Sequence, residues 1–202
     1  MAPIADIIMD ARRLLLCASA VALLAACGTP PSRFYHLDAA TPDATQPRSA
    51  DAQRRVIGLD GVKIPGYLDR PELVLRAPGN RLVVMDFDRW GGPIDEMVTS
   101  TLLRNLEMDL PGAEVVGLPL QRDFPLSQVV EVTLDRFDAT EGGPAVLEAR
   151  WRVFDRGGDR LRRLGHTAVQ EPVGGTADPG AVADALSRTL ARLAQDIASA
   201  LR

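Results

Sequence analysis

Few side chains in this sequence could do covalent or acid–base chemistry. There are two cysteines, Cys17 and Cys27, and two histidines, His36 and His166. Neither histidine has a second histidine, a cysteine or a tight carboxylate cluster at metal-ligand spacing, so each reads as a structural or surface imidazole. Asp86 and Asp88 flank Phe87. Paired carboxylates can serve general acid–base catalysis, but alternation at a strand end reads first as a solvated face. There is no Gly-x-Ser-x-Gly elbow, phosphate loop or dinucleotide fingerprint, and Gly91-Gly92-Pro93 and Gly142-Gly143-Pro144 read as turns. The expectation is a chain that is not an enzyme, with no metal and no bound cofactor. An envelope hydrolase would regain ground only if Asp86 and Asp88 faced a deep pocket.

The one residue placed for a reaction is Cys27. Leu24-Ala25-Ala26-Cys27 closes an apolar run from Leu14 to Ala26 that follows Arg12-Arg13. A short basic segment, roughly 7–15 apolar residues and small residues before a cut is the layout of a secretory signal peptide. Ending on cysteine, it resembles a bacterial lipoprotein signal with its lipobox. That resemblance implies cleavage between Ala26 and Cys27, an S-diacylglycerol on the thiol and an acyl chain such as palmitate on the new amine. The run falls short of the roughly 20 apolar residues that span a bilayer, and Gly28-Thr29-Pro30-Pro31 cannot continue a helix. Three acyl chains, at about 0.8 kcal/mol per buried methylene, hold a protein on a membrane far more firmly than one. Asp6 and Asp10 are unusual in a basic leader, which makes Met9 an alternative start. As sorting is known in enterobacteria, Gly28 in place of an Asp points to the outer membrane, periplasmic face, rather than the inner membrane.

Lipidation of Cys27 leaves the mature chain no thiol for disulfides, metals or nucleophilic attack. About 176 of the 202 residues remain, enough for one domain. The expected division is a signal peptide at 1–26, a lipidated N-terminus with a short docking segment and flexible loop at 27–53, and a folded domain at 54–202. The formal net charge is −4 with no basic block, which argues against nucleic-acid binding by bulk charge.

The elements that would position these residues can be read from periodicity. Arg33-Phe34-Tyr35-His36-Leu37 is β-prone and expected to dock on the domain, whereas Asp38 to Gln53 lacks large apolar residues and reads as a loop. Strands are expected at Arg55–Lys63, Glu72–Arg76, Arg81–Phe87, Ala113–Leu118, Gln128–Phe137, Ala145–Asp155 and Leu161–Glu171, with turns at Ala77–Asn80 and Gly157-Gly158. Pro93 opens a helix whose apolar face is Ile94, Met97, Val98, Leu102 and Leu106. A second helix has Asp178 as N-cap, Pro179 at the first position and a stripe of Val182, Leu186, Leu190, Leu193, Ile197 and Leu201. The pattern predicts an α+β fold: a mainly antiparallel sheet of six or seven strands packed with two amphipathic helices in one domain.

One stretch is organised for contact. Tyr67-Leu68-Asp69-Arg70-Pro71 puts an aromatic, an aliphatic and an Asp–Arg pair on a turn between strands, and Trp90 stands at another strand end. Aromatics and arginines at loop tips are common interface anchors. The competing reading is that Tyr67 and Trp90 close the ends of the core while Asp69 and Arg70 brace the turn.

The lipobox, Arg33-Phe34-Tyr35-His36-Leu37, then Val62-Lys63-Ile64-Pro65-Gly66-Tyr67-Leu68-Asp69-Arg70-Pro71, Trp90 and the ending Ala185 to Ala198 together resemble the auxiliary lipoproteins of ABC-type transport systems, the PqiC-like family. Gly91-Gly92-Pro93-Ile94 departs from the Trp-acidic-Pro-Leu run expected after Trp90. The resemblance implies a non-catalytic subunit of an intermembrane lipid transport system that supports envelope integrity. It implies a mammalian-cell-entry (MCE) domain protein and the associated transporter subunits as partners, and a homo-oligomeric ring as a possible assembly. The alternative is a lipoprotein that itself binds a lipid or a hydrophobic small molecule.

Overall fold

The computed structural model describes residues 30–41, 55–119, 125–155, 160–174 and 178–202. Ala26 and Cys27, most of the expected loop up to Gln53 and the Gly157-Gly158 turn lie outside the described residues.

In chain order the elements are β1 (Arg33–Tyr35), β2 (Arg55–Lys63), a 3₁₀ turn (Gly66–Leu68), β3 (Glu72–Ala77), β4 (Arg81–Trp90), α1 (Ile94–Asp109), β5 (Ala113–Gly117), β6 (Gln128–Thr140), β7 (Ala145–Asp155), β8 (Leu161–Glu171) and α2 (Pro179–Leu201). The helices form where the apolar spacing places them. Ile94, Met97, Val98, Leu102 and Leu106 of α1 are buried, and so is the whole expected stripe of α2. Pro93 stands one position earlier than expected, at the N-cap of α1, where its missing N–H still costs nothing. Asp178 is the N-cap of α2, with Pro179 following it, but its carboxylate makes no capping bond.

The strands join into one eight-stranded sheet, and here the expected architecture needs correction. The sheet has eight strands rather than six or seven and is mixed, with parallel as well as antiparallel pairs. The hairpin pairs β3–β4, β6–β7 and β7–β8 are antiparallel. The pairs β1–β4, β2–β5, β2–β6 and β3–β6 are parallel. The long strand β6 is the trunk. One edge carries β7 along its length; the other carries β2 opposite Gln128 to Thr133 and then β3 opposite Ala139 and Thr140. The sheet therefore forks, with β5 beyond β2 and with β4 and β1 beyond β3.

The helices pack on each other, α2 against β6, β7 and β8, and α1 against β2 and β5. On β7, Leu147, Ala149, Trp151 and Val153 are buried while Arg150 and Arg152 are exposed, the alternation of a sheet covered on one side. Each fully buried Leu or Ile in this core contributes about 1.5–3 kcal/mol relative to exposure. Asp88 departs from the expected solvated face: it is 4% exposed while Asp86 is exposed. The reason is local, because β1 pairs with the end of β4 from Asp88 onward and covers it.

Candidate docking surface

The three segments singled out in the sequence meet at one end of the sheet. Arg33, Phe34 and Tyr35 stand opposite Asp88, Arg89 and Trp90, and the Trp90 N–H donates to the Pro71 carbonyl at 2.7 Å. The Gly91 N–H donates to the Tyr35 carbonyl at 2.8 Å. Arg33 grips Asp88 with two bonds, Nε to Oδ1 at 2.8 Å and Nη2 to Oδ2 at 3.0 Å, and the Tyr35 hydroxyl donates to Oδ1 at 2.9 Å. Burial and the bond to Asp88 raise the Tyr35 phenol pKa above its ordinary value. Leu37 follows with no exposed area, and the Thr101 hydroxyl donates to its carbonyl at 3.1 Å. Asp88 is thus a structural anchor for β1.

The turn after β2 is tight. Leu68 N–H donates to Pro65 O at 3.0 Å and Arg70 N–H to Leu68 O at 2.7 Å, with Asp69 at φ −72° and ψ 68°, an inverse γ-turn. That geometry turns Leu68 inward, 4% exposed, and leaves Asp69, Arg70 and Pro71 outside.

Tyr67 is committed elsewhere. Its hydroxyl donates to Asp138 Oδ2 at 2.8 Å and accepts from the Phe137 N–H at 3.3 Å. Asp138 has no exposed area and is also held by Arg76 Nη2 at 2.9 Å and Arg136 Nε at 2.9 Å. The Arg76 guanidinium lies 5.6 Å from the Tyr67 ring centroid. Burial, chiefly, pushes the Tyr67 phenol up to about 12; the Asp138 carboxylate adds to the rise and the Phe137 N–H opposes it.

Of the five residues expected to form a contact surface, then, Tyr67, Leu68 and Trp90 face the interior, with Trp90 6% exposed. Asp69 and Arg70 remain outside, with no side-chain partner among the described residues. The structure adds Phe34, 67% exposed. It stands in register with Arg89 and through it with Glu72, an ion pair at 3.4 Å one residue past Pro71. Sequence reasoning missed Phe34 as a surface residue because a β-prone pentapeptide does not declare which side chains face in. It missed Asp138 although a carboxylate following Phe137 in an apolar strand was a visible signal.

Residues 35–198 match the model of the ABC-type transport auxiliary lipoprotein component family. The chain belongs to that family. Among its relatives, the intermembrane transport lipoprotein PqiC of Escherichia coli strain K12 is 26% identical over 149 residues, covering 74% of this chain and 78% of that one. The Shigella flexneri protein of the same name gives the same figures. A crystal structure of an uncharacterized protein superposes with a TM-score of 0.69 at 21% identity, covering 86% of this chain and all of that one. A Xanthomonas campestris protein superposes with a TM-score of 0.64 at 17% identity, covering 82% and 92%. The two structures share the fold of this auxiliary component, whose family match begins at Tyr35, within the β1 segment anchored by Asp88.

Proposed function

We propose that this chain is a non-catalytic docking subunit of an MCE-type intermembrane lipid transport system. In this reading it is held on the periplasmic face of the outer membrane by acyl and diacylglyceryl groups on Cys27, and assembles with further copies of itself into a ring. The observation that carries the docking role is the end of the sheet where Phe34, Asp69 and Arg70 stand exposed on a braced frame. Tyr67–Asp138, Arg33–Asp88 and the Trp90–Pro71 bond fix the backbone under them. A rigid frame under a few exposed aromatic and charged side chains suits an interface, because little ordering entropy is lost on contact.

The carrier alternative has one cavity in its favour, lined by Leu75, Pro144, Val173 and Val182 among others. At about 220 Å³ this cavity lies below the roughly 300–1,000 Å³ of ordinary ligand pockets, too small to enclose the acyl chains of a lipid, which favours docking over carriage inside it. The test is affinity capture of the lipidated chain from native membranes in mild detergent. An MCE-domain protein should be recovered with the wild type and lost with the Asp69→Arg/Arg70→Asp pair. Capture of no such partner by the wild type would sink the proposal.

A further inference from the structure

A second feature lies where the C-terminus of α2 meets the starts of β2, β6 and β8. A cleft of about 530 Å³ there is lined by five arginines, Arg55, Arg160, Arg162, Arg163 and Arg202. On a chain of formal net charge −4 this is a concentrated positive field. Eight other arginines each sit within 4.0 Å of a carboxylate. None of the five in the cleft has such a partner among the described residues. The cations have some internal use: Arg55 Nη1 donates to the Leu201 carbonyl at 2.8 Å and Arg202 Nη2 to the Asp109 carbonyl at 3.2 Å. A helix C-terminus offers about half a negative charge and the Asp109 carboxylate interacts with Arg202, while Arg160, Arg162 and Arg163 have no ionic partner among the described residues. Gln128, which also lines the cleft, has a buried Oε1 with no hydrogen-bond partner among the described residues.

Two exposed leucines stand on the same strand as Arg162 and Arg163, which Arg160 immediately precedes in sequence. Leu161, which lines the cleft, is 45% exposed, and Leu164 is 70% exposed. They pair with Phe154 and Arg152 across β7, so both share the sheet face opposite Trp151 and Val153. The strand that carries them, β8, is bonded to β7 alone.

We propose that this cleft binds the headgroup of an anionic glycerophospholipid. The arginines would take the phosphate, Gln128 Oε1 would accept from a hydroxyl of a polyol headgroup such as that of phosphatidylglycerol, and Leu161 and Leu164 would enter the acyl boundary. A free phosphate or an acidic peptide would satisfy the arginines but leave the leucines idle, which is why lipid is the occupant chosen. The proposal requires no MCE partner.

The test is calorimetric titration of the full lipidated chain in neutral detergent with dioctanoylphosphatidylglycerol, dioctanoylphosphatidylcholine, inorganic phosphate and heptaglutamate. Phosphatidylglycerol should bind most tightly and weaken as salt is added. Arg162→Gln/Arg163→Gln should lose roughly 25-fold, about fivefold per cation. Leu161→Ser/Leu164→Ser should weaken phosphatidylglycerol and leave phosphate unchanged. Arg160→Gln, a single change at an exposed position, checks the result if the double variant melts early. Equal affinity for the two lipids, or indifference to the arginine changes, overturns the proposal. So does phosphate or heptaglutamate binding as tightly as phosphatidylglycerol with no effect of the leucines.

Discussion

Asp138 shows how much one buried carboxylate organises. It accepts from Tyr67, Arg76 and Arg136 at once, tying the turn after β2 and strand β3 to the trunk strand β6. Removing one member of a buried ion pair costs about 3–5 kcal/mol because the other charge is left without compensation. Arg76 and Arg136 keep side-chain exposures of 32% and 22%, so their stranded charges can reach water. Asp138→Ala should therefore lower the stability read from a urea midpoint by about 3 kcal/mol, the bottom of that range. Arg76→Met, which leaves Arg136 on the carboxylate, should cost visibly less. The tyrosines give a second measurement. The chain has two, and both phenols are raised, Tyr67 to about 12. A raised phenol favours the neutral form in the folded state. Its contribution to stability is then complete below the ordinary value near 10 and disappears as pH climbs through about 12. Ultraviolet titration near pH 10 should find less phenolate than two ordinary tyrosines would give until the chain unfolds, and Tyr67→Phe should flatten the alkaline fall in stability. Phenolate rising at the ordinary value in the folded protein would refute the buried assignment.

The elements themselves were largely legible, and the reasons differ from one to the next. β7 alternates Leu147, Ala149, Trp151 and Val153 against charged residues, and α2 repeats Val182 through Leu201 at helical spacing, so local periodicity alone specifies both. Hairpins were legible too, since Ala77–Asn80 joins neighbours in sequence; Gly79 and Asn80 both take positive φ there. The parallel pairs were not legible. β2 with β5 and β6, and β1 with β4, join strands far apart in the chain, and nothing local in Val56-Ile57-Gly58-Leu59 says which partner lies beside it. The candidate surface was legible in part: the turn at Tyr67–Pro71 forms as expected, but the inward fate of Tyr67, Leu68 and Trp90 depends on those same remote pairings. Gly165 on β8 marks another such dependence. It stands opposite Trp151, whose indole covers it so closely that a Cβ would collide with the ring. The indole cannot easily withdraw, because its N–H donates to the Thr167 hydroxyl at 3.2 Å, which in turn donates to Asp196 on α2 at 2.8 Å. Gly165→Ala should destabilise by about 1–3 kcal/mol, the usual range for overpacking a filled site. Adding Trp151→Leu should make the two changes strongly non-additive, since the ring is the obstacle. Simple additivity in a double-mutant cycle would contradict this account.

At the scale of the whole molecule, the proposed reading gives anchoring and docking to separate parts of one chain, so they should be separable by mutation. The anchor assigned to Cys27 works through methylene burial in a bilayer and needs nothing from the sheet. The proposed docking end would work through Phe34, Asp69 and Arg70, on a frame fixed by Asp88 and Asp138. Among the described residues no helix is long and apolar enough to cross a membrane, so no described helix duplicates the anchor. Cys27→Ser should abolish metabolic labelling by palmitate and leave the melting temperature of the folded domain within about two degrees of wild type, since the proposal gives the anchor no part in the domain's packing and such changes stay within roughly 0.5 kcal/mol. Asp69→Arg/Arg70→Asp should do the opposite: full labelling, membrane fractionation and an unchanged melt, with partner capture lost. Charges at an interface chiefly set partner choice and association rate, so partner capture by the reversed pair should also fail to recover when salt is lowered. If the reversed pair still captures its partner, the contact lies elsewhere on the sheet. If Cys27→Ser still incorporates palmitate, the anchor lies on another residue, and either result separates the two assignments cleanly.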